Sequence, residues 1–488
     1  MPQELFNNLL PPPSQEEAAD ELSPEGTFAL TVRDKDLPPV IREVVANAPD
    51  SRKIPAFIAC LSPLCALSTR IRLQYYYDGQ RKSALLLQVI IEAPQSSGKQ
   101  FAADIERLIM DDTLKARDQE QRRIEQKYRE KKRCRSQNKE MEEEPKTTIR
   151  VIPPTISKTV LVKRADFYER NLGDVLTFWM FAEELSQVTD AGKQGYSNLR
   201  TIMRTAYDYG SQFGIDYASD NSYSAIVDIN ICSMFCATPS AVDEYMDKKA
   251  IEGGNVSRQI LCQIGDDIGS DGAIFKPLSE EQLATINQML DLMMKNTFDS
   301  DGKLCPEIQL DTRWIDSTVK HWCRKKGTEA LLTGHEAIDV FRKRSSVSAF
   351  RCAALLYYIY LLDAGFDCHK EIPTDDKRVK MAIRLCKKFY VFMADYILQS
   401  MLRRWGARFE EYNSSREDGS ARLQGPTLYD ELSFEFTRDQ LNALLKQRQR
   451  TTPSRVLICQ WQNRKLIKVI GENRYQKILK QDPFKPTN

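Results

Sequence analysis

Apolar residues recur at helical spacing in two early stretches, LPPVIREVVANAP from Leu37 and KIPAFIACLSPLCALSTRI from Lys53, each bounded by proline. These predict an N-terminal helical segment over residues 37–80. The pattern changes after YYYDGQ, where Asp78-Gly79 signals a turn. SALLLQVIIEAP is then a short continuous apolar run, which suits a strand buried on both faces. From Phe101 to Glu144 the chain is polar. RDQEQRRIEQKYREKKRCRSQNKEMEEE has closely spaced opposite charges and few apolar anchors, so residues 102–145 read as a solvated helical arm.

Beyond Pro153-Pro154 the periodicity alternates. RVIPP, DVLTFWMF and AIVDINICSMFCAT predict strands, while ADFYERNL, SNLRTIMRTAYDYG and SAVDEYMDK predict helices. The alternation implies an α/β core over residues 81–310. Leu278 to Thr297 reads as one amphipathic helix. From Asp311 the chain turns mostly helical, giving a helical part over 311–425, and 426–488 forms a terminal module. Residues 1–36, acidic and with Pro11 to Pro13 in a row, read as a disordered lead without the basic and apolar regions of a secretory signal.

Composition adds mainly exclusions. The chain has 488 residues, enough at roughly 100–200 per domain for several domains. Its 70 basic and 68 acidic residues leave a net charge of +2, so any nucleic-acid surface must be local. No apolar run approaches the roughly 18–20 residues of a membrane span by inspection, and no membrane contact is expected. The twelve cysteines lack paired zinc spacing; Cys232 and Cys236 stand four apart without a matching second pair. Reduced thiols and a cytoplasmic location are the expectation.

The chemistry-bearing segment is Ala93-Pro94-Gln95-Ser96-Ser97-Gly98-Lys99-Gln100, between the first buried strand and a helix. A phosphate-binding loop needs converging backbone N–H groups, a glycine where the chain passes close, and a lysine for the outer phosphates. Gly98 and Lys99 fill those roles. Ala93 stands where a first glycine is expected, and Gln100 where a hydroxyl would hold Mg2+. The plain alternative is a loop whose glycine only opens a helix. A nucleotide hydrolase also needs an acid at a neighbouring strand end, and Glu183-Glu184 follow the DVLTFWMF strand. They equally suit the first turn of a helix. Thr238 ends another strand, as a phosphate sensor or a helix cap. Arg258, after Gly253-Gly254, is a candidate to stabilise charge on a transferred phosphoryl group, or a surface arginine after a turn.

In order along the chain, these elements resemble a P-loop family of unknown function. It is common in mobile elements and phages of Bacteroidetes and often labelled helicase- or primase-like. The resemblance runs from Leu37 to Leu362 and includes Tyr77-Asp78-Gly79, AP-x-SSGK at Ala93 to Lys99, IPPTISKTVLV, FAEELSQ, YSNLRTIMRTAYDYG, Ala237-Thr238-Pro239 and GGNVSR. It implies a RecA-like P-loop NTPase core with ATP and Mg2+ as cofactors. The loop residues Ala93, Pro94, Ser96, Ser97, Gly98, Lys99 and Gln100 would bind nucleotide, and Glu183 or Glu184 would serve magnesium and water. Arg258 would act as an arginine finger, from its own or an adjacent subunit; a finger acting in trans would require a homo-oligomer, which suggests a ring. The family usually has glycine after the lysine and a Glu-x-Asp arrangement; Gln100 and the adjacent acids depart from both.

At the C-terminus, Thr437 and Thr452 are expected N-caps of two helices, Pro453 suits a first helical position, and KLIKVIGENRYQKIL predicts two strands about Gly471-Glu472-Asn473. Helix, turn, helix, wing is the order of a winged helix. Arg448, Arg450, Arg455, Arg464, Lys465, Lys468 and Arg474 make it basic, as DNA phosphate contacts require, although such modules also serve as packing units. The sequence thus predicts an ATP-dependent, helicase-like motor or DNA-processing ATPase. The other reading is a non-catalytic, nucleotide-gated DNA-binding or assembly protein.

Overall fold

A computed structural model of the chain describes residues 34–75, 82–133, 143–193, 199–216, 223–247, 250–251, 253–265, 274–414, 428–447, 454–463 and 466–478. The lead up to residue 33 and the Asp78-Gly79 turn lie outside them. Pro39 opens α1 (Pro39–Ala46), where its fixed φ suits the first turn. α2 (Lys53–Leu67) is buried at every position from Pro55 to Leu67, as expected of a helix apolar all round.

The helical spacing stretching to Ile71 is overridden at its end. Ser68 closes α2, and the chain continues as β1 (Ile71–Gln74) and β2 (Lys82–Ala84), an antiparallel pair. β1 also pairs in parallel with Ile308 and Gln309. Buried Arg72 meets Glu307 at 2.6 Å and Asp174 at 3.2 Å, and Arg70 also pairs with Asp174. No local periodicity can register partners so distant in the chain. The run from Ser83 to Ala93 is consequently not one strand: Leu85 to Leu87, fully buried, lead into β3 (Gln88–Glu92) in a different sheet.

Five strands build the central sheet. After β3 come α3 (Gln100–Met110), a π-helical turn at Asp111–Lys115 and α4 (Ala116–Arg133). Then follow β4 (Val151–Ile152), α5 (Lys158–Leu172) and β5 (Thr177–Ala182), with Ser157 capping α5. α6 (Ser186–Lys193), α7 (Leu199–Thr205) and an antiparallel pair, β6 (Gln212–Ile215) with β7 (Ala225–Asp228), precede β8 (Asn230–Ala237). α8 (Pro239–Tyr245) leads towards β9 (Ile260–Gln263). The sheet order is β4-β5-β8-β3-β9, with every pairing parallel. β3 and β8 are buried at every position, the mark of a parallel sheet covered on both faces. The fold is therefore α/β.

The polar stretch after β3 divides into two parts. Phe101, Ile105, Ile109, Met110 and Leu114 are buried, so the solvated arm begins only near Ala116, later than the charge pattern implies. Even there the arm is moored. Asp118 is buried and accepts the backbone N–H groups of Arg150 at 2.6 Å and Val151 at 2.5 Å. Glu125 accepts Arg164 of α5 through both carboxylate oxygens.

The chain goes on through α9 (Glu280–Lys295), which a Ser279/Gln282 capping box opens, and β10 (Ile308–Gln309). α10 (Asp316–Thr333), α11 (Glu336–Asp363) and α12 (Lys377–Met401) follow, and a π-helical turn at Leu402–Gly406 passes into α13 (Ala407–Ser414). One continuous hydrophobic core runs from Leu37 to Trp405, so segments 37–80, 81–310 and most of 311–425 share a single interior. Contrary to the reading of the sequence, α11 is long and apolar enough to cross a membrane; 89% of its apolar window is buried in this core.

A second, smaller core joins Leu432, Phe436, Leu441, Leu445, Ile458, Trp461, Ile467 and Tyr475. It packs α14 (Leu428–Glu431), β11 (Glu435–Thr437), α15 (Arg438–Gln447), α16 (Ser454–Asn463), β12 (Ile467–Gly471) and β13 (Arg474–Lys477). The sheet is antiparallel, in the order β11-β13-β12. Thr437 caps α15 reciprocally with Gln440, and Asn473 takes a left-handed φ of 56° in the β12–β13 turn. The expected cap at Thr452 and Pro453 lies outside the described residues.

Candidate functional site

The connection after β3 runs to β4 at one edge of the sheet, whereas the connection after β8 passes to β9 on the other side of β3. Adjacent strands β3 and β8 thus send their chains in opposite directions. In open parallel sheets this opens a crevice outside the carboxyl ends, where ligands bind. The 93–99 loop stands over it.

Ala93, fully buried, donates its N–H to Ala237 O at 3.0 Å and fixes the loop to the end of β8. Ser97 Oγ donates to Pro94 O at 2.6 Å, and buried Arg52 donates from Nη2 to Ser97 O at 3.3 Å. Ser96 and Gly98 take positive φ values of 61° and 70°. Gly98 does so freely, while Ser96 is held in a conformation that costs a non-glycine residue roughly 1–3 kcal/mol. The loop ends at the N-terminus of the eleven-residue α3, whose first-turn N–H groups and dipole favour an anion. Lys99 Nζ reaches Ala93 O at 3.4 Å and Ala237 O at 3.3 Å, one carbonyl from each strand of the crevice. Both are neutral, long contacts. Gln100 is exposed and reaches only towards Asp104.

The acids lie at the same edge. Glu183 directly follows β5 and accepts Arg107 Nη2 of α3 at 3.2 Å, while β8 alone separates its strand from β3. Glu184 accepts Ser186 Oγ at 3.5 Å, at the start of α6. Cys236 lies between: burial pushes its thiol up to about 12, Lys99 pulls it down and Glu183 raises it. Lys99 and Glu183 therefore both act on Cys236, and of the two adjacent acids only Glu183 does. Thr238 is close too, yet its hydroxyl caps α8 by accepting Ala241 N at 3.3 Å.

Arg258 is not brought to this edge. It precedes β9, whose first residue pairs with Val89 near the start of β3, so it lies at the amino edge of the sheet. There Nη1 donates to Gly254 O at 2.8 Å and Nη2 meets Asp208 at 3.3 Å. Within one chain it cannot serve the 93–99 loop. The spacing in sequence was blind to this because a parallel strand returns the chain to the far edge before it crosses back.

Arg344 also meets Asp208, at 2.9 Å. Burial would raise the Asp208 carboxyl, but Arg344, Arg258 and Arg351 outweigh it and hold it below the ordinary value. A depressed folded pKa stabilises the fold above the unfolded value of about 4, and that contribution disappears as pH falls through the folded value. Asp208→Asn is accordingly expected to lower the urea midpoint at pH 7, with the gap to wild type closing on acidification below about pH 4. A gap independent of pH would remove this assignment.

Sequence reasoning missed a further group at the carboxyl edge. Glu92, buried at the end of β3, accepts Gln263 Nε2 at 3.0 Å and pairs with Arg404 at 3.0 Å. Asp243 pairs with Arg404 at 3.1 Å and Arg408 at 2.6 Å. Burial would raise the Asp243 carboxyl, and hydrogen bonds from those two arginines hold it low instead. An arginine late in an amphipathic helix reads as solvated, so no sequence signal marked Arg404.

In the terminal module Arg455, Lys468 and Arg474 are exposed; Arg448, Arg450, Arg464 and Lys465 lie outside the described residues. Eleven described cysteines are free thiols, and no group of three or more His, Cys, Asp or Glu is placed to hold a metal among the described residues. No protein-family model matches this chain, and no curated protein matches it.

Proposed function

We propose that this chain is a P-loop NTPase with a RecA-like core, an ATP-dependent helicase-like motor or DNA-processing ATPase of a mobile element or phage. The observation that carries the reading is Lys99 laid across the ends of β3 and β8, beneath a loop that opens a helix N-terminus at the switch point. Two weak neutral contacts hold that ammonium, and a polyphosphate would replace them with charge-assisted ones. Glu183, across β8, would orient water and complete the shell of Mg2+. That ion is commonly bound through phosphates, waters and one or two carboxylates, which fits a site without a loop hydroxyl at Gln100. Bound Mg2+ would offset charge on the phosphates; the chain's own part is to hold the nucleotide and exclude disorder at the transferred group.

Arg258 enters this scheme only from a second copy that presents its amino edge to the crevice, which makes a homo-oligomer part of the proposal. The terminal module contributes DNA contact as a winged helix: two helices followed by a two-stranded wing, with Arg455, Lys468 and Arg474 exposed. Arg450, Arg464 and Lys465 add charge to it in sequence.

The non-catalytic, nucleotide-gated reading draws on Ala93 and Gln100 and on the ion pair that occupies Glu183. Turnover separates the two. Purified protein is expected to hydrolyse ATP faster with single-stranded DNA than without it. An Arg455→Ala, Arg474→Ala double variant should weaken DNA and lower the salt slope of binding by about two. ATP binding without turnover would favour the gated module; no ATP binding would end the P-loop assignment.

A further inference from the structure

Arg404 occupies a place for which the reaction proposed above has no task. It lies in the one-turn π-helix Leu402–Gly406, a local departure that is frequent at functional sites. The turn lays its guanidinium against the carboxyl edge of the central sheet. Nη2 alone meets Glu92 Oε1 at 3.0 Å, Asp243 Oδ1 at 3.1 Å and Pro239 O at 3.1 Å. Nε is buried and has no partner. Three acceptors thus crowd one nitrogen while another nitrogen of the same group is left unmatched, an arrangement that loses a buried donor's hydrogen bond.

Its position follows from the strand ends. Glu92 immediately precedes Ala93, whose carbonyl takes one contact from Lys99, and Pro239 lies just past Ala237, whose carbonyl takes the other. Arg404 and Lys99 therefore flank the same pair of strand ends. Both carboxylates that hold Arg404 have a second partner that would remain if it left: Gln263 for Glu92 and Arg408 for Asp243. Asp243 would keep its ion pair with Arg408, whereas buried Glu92 would keep one neutral hydrogen bond, a cost that the new phosphate contact must exceed.

We infer that Arg404 is a second phosphate-binding cation of the crevice, supplied in cis by the helical part of the chain. It exchanges Glu92 and Asp243 for the terminal phosphate of a nucleoside triphosphate. The inference rests on the nucleotide-binding reading of the 93–99 loop. Bidentate geometry suits a guanidinium to a phosphate, and the π-turn joins α12 to α13, so the exchange would tell the helical part whether the third phosphate is present.

The test is displacement of a fluorescent ATP analogue from the full-length protein by ATP and, separately, by ADP. Wild type, Arg404→Gln and Arg404→Lys are compared. Arg404→Gln is expected to weaken ATP roughly ten- to a hundredfold while leaving ADP unchanged, as one charge-assisted contact to the third phosphate predicts. Arg404→Lys should recover part of the ATP affinity, and it keeps the comparison readable if the glutamine variant does not fold. Equal loss for ATP and ADP, or loss for neither, would overturn the inference while the loop assignment stood. Wild type binding neither nucleotide would instead bring down the loop assignment, and this inference with it.

Discussion

Lys99→Ala is expected to weaken ATP binding about a hundredfold or more and to bring turnover below detection. The fold should stay as stable as wild type. The ammonium would give two or more charge-assisted hydrogen bonds to phosphate, each contributing about 1.5–3 kcal/mol, and every 1.4 kcal/mol is tenfold in affinity. In the free protein the same side chain makes only two long contacts to neutral carbonyls and is half exposed. Its removal leaves Ala237 O with the Ala93 N–H and costs Ala93 O only a long 3.4 Å contact, while the strands keep their parallel partners. Isothermal titration with ATP and urea unfolding, run on one preparation, separate the two effects. Normal ATP affinity in the variant would sink the assignment. A matching fall in stability would show that Lys99 is structural instead.

The second large effect concerns Asp174. Alanine there should destabilise the fold by about 3–5 kcal/mol, the usual cost of breaking a buried ion pair from one side. Arg70 and Arg72, 5% and 1% exposed, both reach Asp174, and Arg72 would keep Glu307 as its carboxylate beside the carbonyls of Thr69 and Ile71. These residues join the small β10-β1-β2 sheet to the approach to β5, so the loss is shared between two sheets. Asp174→Asn should fall between the two, since its amide oxygen keeps an acceptor without the charge. Urea midpoints at pH 7 test the order. A cost under about 1 kcal/mol for alanine would mean that water or another acceptor already serves the arginines.

What the sequence disclosed follows from how far each determinant reaches. The strands at Gln88–Glu92, Thr177–Ala182 and Asn230–Ala237 are legible because full burial in a parallel sheet demands apolar runs. The long helices through Glu336–Asp363 and Lys377–Met401 are legible from sustained periodicity. Ile260–Gln263 is too short for any period to establish itself, and β1 is set by a partner far along the chain. For the site, Gly98 and Lys99 were visible because their roles are local to one loop. Glu183 could be told from Glu184 only by its contact with Arg107, and Arg404 only by where the π-turn delivers it. The placement of Arg258 at the amino edge needed the strand order itself.

The link between Arg72 and Glu307 spans 235 residues. On a ribosome adding about 5–20 residues per second, the completed β1 strand waits roughly ten to fifty seconds for its partner to be made. For much of that interval α2, apolar on every side, lacks β8, on which Ser62 is anchored and which is completed only at Ala237. Slower translation between residues 67 and 237 would lengthen the exposure of that apolar surface.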